Sequence, residues 1–494
     1  MPTRIGTIVR LTGRLLLAPA AMALVTLPFC LVEGDLVALA AFGALIGICL
    51  ALAGLARLVP QRQEADAADA VAAVALAWLL IGGLCGVPLA VLARAAPAGS
   101  ELALAYGPAV NALFEGMSGI TSCGLTVAAR PDLLPASIQW WRSLCEWVGG
   151  VGVVVTMLLL LDPAEHADAF YRAEARTWRL DAPIRRTAVR IWSIFLALSA
   201  FSVLALKLAG ETWWVAVNHG LTGIATGGFS IRADSFQGTP AAVQGVTMAI
   251  MVLGAISFRT YSRLVERERR WWRSTQLRWL GGLLAGGFLV LLGLRSLTAL
   301  DATALQIGFQ WVSALGTCGF ASADLEGWSP AGLVLLMVGM VVGGMAGSTT
   351  GGIKVSRLVW LCKSAGRHLR RRLDERKEPA GYRFDGTEVD AKQARRRIRH
   401  AAVLAGLWIA TLAGGWLVLL VVVPDHPPLH LLFEAASALG SVGLTTGATS
   451  AALPTAAKAT LIVLMWLGRL EIISALLLVL LPWSVFRIPS RGRV

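Results

Sequence analysis

The sequence is short of charge. Asp, Glu, Lys and Arg make up 15% of it, where a soluble chain carries about a quarter. It is also short of histidine, with six: His166, His219, His368, His400, His426 and His430. Only His426 and His430 stand close together, beside Asp425, in a stretch that reads as a solvated loop. A polytopic membrane enzyme needs a cluster of His, Asp or Glu at one membrane face, so an enzyme is not expected. The seven cysteines are Cys30, Cys49, Cys85, Cys123, Cys145, Cys318 and Cys362. They form no CxxC pair, and most lie within or at the edge of apolar runs. No disulfide framework, metal cluster or bound cofactor is expected.

What is present is apolar. Hydrophobic residues make up 56% of the chain, and the mean hydropathy is +0.67. The formal net charge is +14, which in a soluble protein would suggest nucleic acid. Here the basic residues sit in a few blocks between apolar spans, the habit of cytoplasmic loops in membrane proteins. The chain therefore reads as an all-α polytopic membrane protein surrounded by lipid, with no nucleic-acid partner. Arg4, Arg10 and Arg14 followed by an apolar run mimic a signal peptide. No small-x-small cleavage site follows, so the run reads as a first transmembrane helix.

A spanning helix needs about 20 apolar residues. Ten candidates run over 14–32, 36–58, 69–94, 138–161, 187–208, 240–260, 276–297, 329–360, 400–423 and 455–482. The basic blocks Arg4–Arg14, Arg57 and Arg62, Arg172–Arg190, Arg259–Arg273, Lys363–Arg399 and Arg487–Arg493 then all fall on one side. Both termini are predicted to be cytoplasmic. The most polar block, 363–399, contains Arg370-Arg371-Arg372 and Arg395-Arg396-Arg397. It reads as a solvated loop or as a docking surface for a regulatory partner.

Four short apolar segments on the opposite side repeat one pattern without gaps. They are FEGMSGITSCGL from Phe114, NHGLTGIATGGF from Asn218, FQWVSALGTCGF from Phe309 and FEAASALGSVGL from Phe433. A hydroxyl recurs at Ser118, Thr222, Ser313 and Ser437. A second sits at Ser122, Thr226, Thr317 and Ser441. A glycine follows two residues later, at Gly124, Gly228, Gly319 and Gly443. Each interval between consecutive glycines holds two full spans, so the copies enter the membrane in the same orientation. Four parallel repeats close around an axis normal to the membrane, unlike inverted repeats. About a dozen helical residues precede each glycine, starting near Gly107-Pro108, Glu211-Thr212, Asp301 and Pro427-Pro428. At about 18 Å they are too short for a core of about 30 Å. Re-entrant half-helices are expected, with their C-terminal ends aimed at the axis where the dipole favours a cation.

The loop after each half-helix is non-helical at membrane depth, which requires burial or a water-lined cavity. Its backbone carbonyls can replace the hydration shell of a potassium ion. Glycine allows the strand to aim them inward, and the preceding hydroxyl can add one oxygen. Glu115 and Glu434, one turn or more before this filter, are expected to anchor the half-helices by hydrogen bonds. The competing reading is helix packing through small residues; four gap-free copies at equivalent positions favour the pore.

Three further motifs stand outside the loops: Trp147-Val148-Gly149-Gly150-Val151-Gly152, Gly347-Ser348-Thr349-Thr350-Gly351-Gly352-Ile353-Lys354 and Gly468-Arg469-Leu470-Glu471. With the four loops, they resemble the TrkH/KtrB/HKT family of cation transporters over nearly the whole chain. Two extra N-terminal spans look like the TrkH branch. The division would be 1–62 for two leading helices, 63–165, 166–272, 273–362 and 400–494 for the four repeats, and 363–399 for the basic linker. The resemblance implies potassium uptake at a bacterial inner membrane, a homodimer with one pore per protomer, and a cytosolic nucleotide-binding ring of the TrkA type. It maps the filter onto Ser122-Cys123-Gly124, Thr226-Gly227-Gly228, Thr317-Cys318-Gly319 and Ser441-Val442-Gly443. Ser replaces the family's Thr in the first and fourth copies and keeps the oxygen. Cys123 and Cys318 are read as packing residues, since carbonyl ligation ignores the side chain. A proton- or sodium-coupled symporter with the same fold is the alternative.

The eighth span would measure about 48 Å as one helix. Glycines at 339, 343, 347 and 351 make either a packing face or a break. Gly344 and Gly352, beside Ser348, Thr349 and Thr350, favour a break: a gate loop beneath the filter, including Lys354. Arg469 lies inside the tenth span, where a charge is costly and usually functional. It is expected near the gate loop, with Glu471 or backbone carbonyls as partners, acting either as an electrostatic barrier or as a structural ion pair.

Overall fold

The computed structural model describes residues 4–60, 67–160, 184–268, 270–298, 302–373, 381–470, 472, 475, 476 and 478. His166, Asp301, Glu471, the first part of the Arg172–Arg190 block, the end of the tenth span and the Arg487–Arg493 block lie outside the described residues.

Helices α1 (Arg4–Leu15) and α2 (Leu17–Glu33) form one apolar stretch, and α3 (Leu36–Leu58) returns beside α2. Asp35 caps α3 by accepting from Ala38 N. The first span was expected to begin at residue 14, but helix begins at Arg4. There the Arg4 guanidinium pairs at 2.5 Å with Asp69, a buried carboxylate on α4 (Ala67–Ala95). Arg4 supplies the charge partner that the buried Asp69 carboxylate requires.

Four helix–half-helix–helix units follow. The first is α4, then the short α5 (Glu101–Tyr106), the half-helix α6 (Ala109–Ile120) and α7 (Ala136–Leu160). The second is α8 (Ile184–Leu208), α9 (Trp213–Ile224) and α10 (Ala241–Ala255), followed by α11 (Phe258–Val265). The third is α12 (Thr275–Thr298), α13 (Ala304–Leu315) and α14 (Pro330–Val342), followed by α15 (Val355–Leu373). The fourth is α16 (Ala391–Val422), α17 (Pro428–Gly440) and α18 (Thr455–Arg469). Six helical stretches among the described residues are long and apolar enough to cross a bilayer, and the bent pair α10–α11 would make a seventh.

The half-helices α6, α9 and α13 have 12 residues each and α17 has 13. At about 18–20 Å they are half-spans, as expected. Their starts follow from local chemistry. The Thr212 hydroxyl accepts from Val215 N, and Thr303 forms a reciprocal capping box with Gln306. Pro108 and Pro427 precede the other two, where fixed φ favours a helix start.

Two spans depart from straight helices. The sixth was expected over 240–260, but α10 stops at Ala255 and α11 leaves at 92°. The cause is partly local, since the Ser257 hydroxyl caps α11 by accepting from Thr260 N, and partly tertiary. The terminal carbonyls of α10 are taken by another segment: Ala255 O accepts from Met345 N at 3.0 Å, and Gly254 O from the Thr349 hydroxyl at 3.1 Å. The eighth span is broken, as expected. Between α14 and α15 the chain is irregular over 343–354, with positive φ at Gly343, Gly347, Gly352 and Lys354.

The polar linker is not a plain loop. Arg370 to Arg372 sit on α15, and Arg395 to Arg397 sit on the first turns of α16. Between these helices lies an antiparallel hairpin, β1 (Tyr382–Phe384) and β2 (Thr387–Val389), with Phe384 opposite Thr387. Asp385 and Gly386 form its two-residue turn at φ 52° and 80°, the conformation that favours Asp-Gly. Phe384 stacks on Trp360 at 5.2 Å, and Asp385 accepts from Thr275 N at 2.7 Å.

Candidate functional site

The four half-helices end in four short strands with one backbone conformation. The hydroxyl residues Ser122, Thr226, Thr317 and Ser441 stand at φ 49°, 51°, 46° and 49°. Left-handed geometry at a non-glycine residue costs about 1–3 kcal/mol, so four equivalent cases mark an imposed constraint. Two residues on, Gly124, Gly228, Gly319 and Gly443 stand at φ 87°, 94°, 88° and 98°. The middle residue of each strand donates back to its half-helix over the same 2.9 Å: Cys123 N to Ser118 O, Gly227 N to Thr222 O, Cys318 N to Ser313 O and Val442 N to Ser437 O.

The strands close on each other. A methyl group built on Gly124 would strike the Gly227 carbonyl oxygen; one on Gly228 would strike that of Cys318; one on Gly319 that of Val442; one on Gly443 that of Cys123. The cycle runs first to second to third to fourth and back to first. The side chains of Cys123, Cys318 and Val442 are buried. The Cys123 thiol lies 3.8 Å from Ser437 O and the Cys318 thiol 3.8 Å from Gly223 O. They pack the ring against the half-helices, the role expected of them.

The neighbouring helices come up to the half-helix ends through glycine. A methyl group on Gly149 would strike Ile120 O, one on Gly254 would meet Ile224 O, and one on Gly468 would strike Leu439 O. This explains Gly149 and Gly468, and Gly150, whose added methyl group would meet Ala225: a side chain at any of the three would push α7 or α18 off the ring.

One residue of each half-helix clasps the chain that leaves the ring. Glu115 accepts from the Thr126 hydroxyl at 2.8 Å and from Val127 N at 3.1 Å. Glu434 accepts from the hydroxyls of Thr445, Thr446 and Thr449 and from Thr446 N, over 2.6–3.2 Å. The anchoring role expected for both is present. Two counterparts were not foreseen. His219 Nε2 meets the Ser230 hydroxyl at 3.0 Å and accepts from Ile231 N at 3.4 Å, and Gln310 donates to Ala323 O at 2.9 Å. Both occupy the column of Glu115 and Glu434 in the four aligned segments, which was the available clue.

A second unforeseen feature is a pair of buried charges on α7, Arg142 and Glu146, one turn apart. Arg142 bonds Glu115 at 2.8 Å, Ser230 O at 3.1 Å and the Thr126 hydroxyl at 3.1 Å. It links the first half-helix to the second strand. Glu146 accepts from Phe229 N with both oxygens, at 3.1 and 2.9 Å.

The strand hydroxyls have unlike partners. Ser122 donates to Glu146 O at 2.9 Å. Thr226 donates to the Thr349 hydroxyl at 3.1 Å, and Thr317 accepts from Gly351 N at 2.8 Å. Ser441 has no protein partner for its hydroxyl among the described residues. The 343–354 segment thus lies against the ring at strands two and three. Gly351 abuts Gly440 O, the Thr349 hydroxyl also reaches Ile224 O at 3.2 Å, and Phe258 N donates to Gly347 O at 2.8 Å. Inside the segment, the Ser348 and Thr350 hydroxyls meet at 2.7 Å, Gly352 packs on Gly343, and Lys354 donates to Thr350 O. Arg469 donates to Thr349 O at 3.1 Å, to Gly150 O at 2.9 Å and to Gly149 O. Its partners include backbone carbonyls, and they join this segment to α7. All twelve strand positions and all eight positions around the irregular segment therefore belong to one assembly. Chemically, a ring of converging backbone at four half-helix C-termini favours a bound cation over an anion.

The chain is similar to known proteins in sequence and in fold. A family model described as "TrkH: Cation transport protein" matches residues 41–484. The Trk system potassium uptake protein TrkH of Halomonas elongata is 30% identical over 456 residues, covering 89% of this chain and 91% of that protein. An uncharacterized cation transporter of Methanocaldococcus jannaschii is 29% identical over 408 residues, covering 82% and 81%. The crystal structure of the potassium transporter TrkH from Vibrio parahaemolyticus shares the fold, with a TM-score of 0.79 at 24% identity over 99% of this chain and 100% of that one. The family model covers all four strands and the irregular segment between α14 and α15, and with a relative 30% identical over 89% of the chain it leaves one assignment: the chain belongs to the TrkH family of cation transport proteins.

Proposed function

We propose that this chain takes up potassium across a bacterial cytoplasmic membrane through the four-strand ring, which acts as a channel-like selectivity filter. The closed cycle of glycine contacts carries the reading. Carbonyls of Ser122-Cys123-Gly124, Thr226-Gly227-Gly228, Thr317-Cys318-Gly319 and Ser441-Val442-Gly443 replace the water shell of a dehydrated cation. The half-helix C-termini add their dipoles. Relatives named as Trk system potassium uptake proteins support potassium as the ion.

The segment Gly347 to Gly352, with Lys354, is the gate beneath the filter. Arg469 holds its backbone and sets a positive charge on the conduction path. Both termini face the cytoplasm. The basic surface of α15, the hairpin and the start of α16 is where a cytosolic nucleotide-binding ring of the TrkA type docks, and two protomers pair with one pore each. The test is rescue of a potassium-uptake-deficient bacterium at limiting potassium. Wild type restores growth and Gly443→Asp does not; equal growth of both sinks the reading.

A further inference from the structure

At the middle position the ring is asymmetric. Strands one, three and four carry a side chain there, Cys123, Cys318 and Val442, each fully buried. Strand two carries Gly227. The reason is local: a Cβ on Gly227 would run into the Glu146 carboxylate, while the φ of Gly227 is one that any residue adopts. The volume that the other strands fill with their own side chain is filled here from α7. The same carboxylate takes over a second task. In strands one and three the equivalent N–H groups belong to Leu125 and Phe320, which follow Gly124 and Gly319. In strand two the corresponding N–H, of Phe229, is accepted by both oxygens of Glu146. Arg142, one turn earlier on α7, ties Glu115 and Ser230 O together and keeps α7 in register with this strand.

We infer that Glu146 is a positioning residue for ion selectivity: it stands in for the missing side chain of Gly227 and holds the Gly227 and Gly228 carbonyls in the ring. The inference rests on the ring being a potassium filter. Glycine-glycine backbone without this support has many conformations to choose from. A buried N–H without its acceptor is costly enough to move the strand.

The experiment is a two-residue exchange in the full-length protein reconstituted in liposomes, read as the reversal potential under opposed potassium and sodium gradients. Wild type must first give a potassium-selective potential; failure there sinks the filter reading rather than this one. Glu146→Ala then lowers the potassium-to-sodium permeability ratio by about tenfold or more, the scale of one lost buried hydrogen bond. Gly227→Cys alone does the same by collision. The double variant Glu146→Ala/Gly227→Cys gives strand two the side chain and thiol of strands one and three, and recovers most of the ratio. A purely structural role would let the damage add. A wild-type ratio in Glu146→Ala overturns the inference, and so does a double variant that is unselective or fails to reach the membrane. If Glu146→Ala alone does not fold, the comparison of Gly227→Cys with the double variant decides.

Discussion

Gly443→Ala isolates what the ring contributes beyond its own backbone strain. Gly443 stands at φ 98° and Gly447, four residues later, at φ 87°. An L residue at either position meets a similar conformational cost, about 1–3 kcal/mol. Their surroundings differ. A Cβ on Gly443 strikes the Cys123 carbonyl oxygen and Gly124, whereas the nearest atom to one on Gly447 is 3.9 Å away, a side-chain oxygen of Glu326. Both variants should therefore carry the strain cost, and Gly443→Ala alone should add the collision and open the fourth-to-first contact. Relief of that contact requires the strand to move by about half an ångström or more, which displaces a carbonyl of the proposed cation site. Loss of about 1.4 kcal/mol of ion binding corresponds to a tenfold change, so uptake at limiting potassium should fall by at least that factor in Gly443→Ala. Thermal unfolding reports the shared strain, and rubidium tracer uptake in liposomes reports the ring. Wild-type uptake in Gly443→Ala would refute the closed-ring argument. Equal loss in Gly447→Ala would refute it too, because strain alone would then explain both.

Other consequences follow from the contacts around the ring. Deleting Gly347 to Gly351 removes the segment lying against strands two and three, so tracer leak should rise several-fold; unchanged flux argues against a gate. Arg469→Ala removes a cation bonded to three backbone carbonyls, and uptake velocity should change while the protein still folds. Identical kinetics and melting would remove the barrier role. Glu434→Ala strips the acceptor from three threonine hydroxyls and one N–H, so it should cost about 2–4 kcal/mol and lower the melting temperature. A melting curve matching wild type would show that the clasp contributes little.

Much of this was legible because the repeat is local. Hydroxyl, small residue, aliphatic, hydroxyl and glycine recur in register, and each recurrence becomes the same helix end, the same left-handed residue and the same glycine. The break in the eighth span was legible from the glycines crowded at its middle, Gly343, Gly344, Gly347, Gly351 and Gly352, and not from its length, which the unbroken α16 matches with 32 residues. What escaped depended on distant partners. Within residues 240–260 the local hint that α10 ends at Ala255 is Ser257, whose hydroxyl caps α11 by accepting from Thr260 N, while the donors that take the last carbonyls of α10 come from Met345 and Thr349. Arg142 and Glu146 were visible as two charges one turn apart in an apolar span, a pattern that marks buried function. Their partners across the ring could not be read from position. His219 and Gln310 hid in the aligned column because their chemistry differs from Glu. The hairpin was a missed local signal: Asp385-Gly386 between Tyr-Arg-Phe and Thr-Glu-Val favours a two-residue turn.

The unlike partners of the four strand hydroxyls separate two roles for them. If they serve chiefly as ion ligands, Thr317→Val and Ser441→Ala each remove one oxygen from the ring and should weaken ion binding alike. The contacts point elsewhere for Thr317. Its hydroxyl accepts from Gly351 N, so valine of the same shape leaves a partly buried N–H unpaired, at about 1–3 kcal/mol. That cost falls on the 343–354 segment in its place against the ring, which under the proposed gating it should leave more often. Ser441 has no such partner among the described residues, and alanine there should leave the gate as it is. Thr317→Val is therefore expected to raise leak about tenfold or more at unchanged Gly443-side contacts, while Ser441→Ala changes only the apparent affinity for the ion. Equal effects of the two variants on leak would show that the hydroxyls do not tether the gate. In that case the contact between Thr226 and Thr349 would also be a packing contact rather than the link through which gate and filter move together.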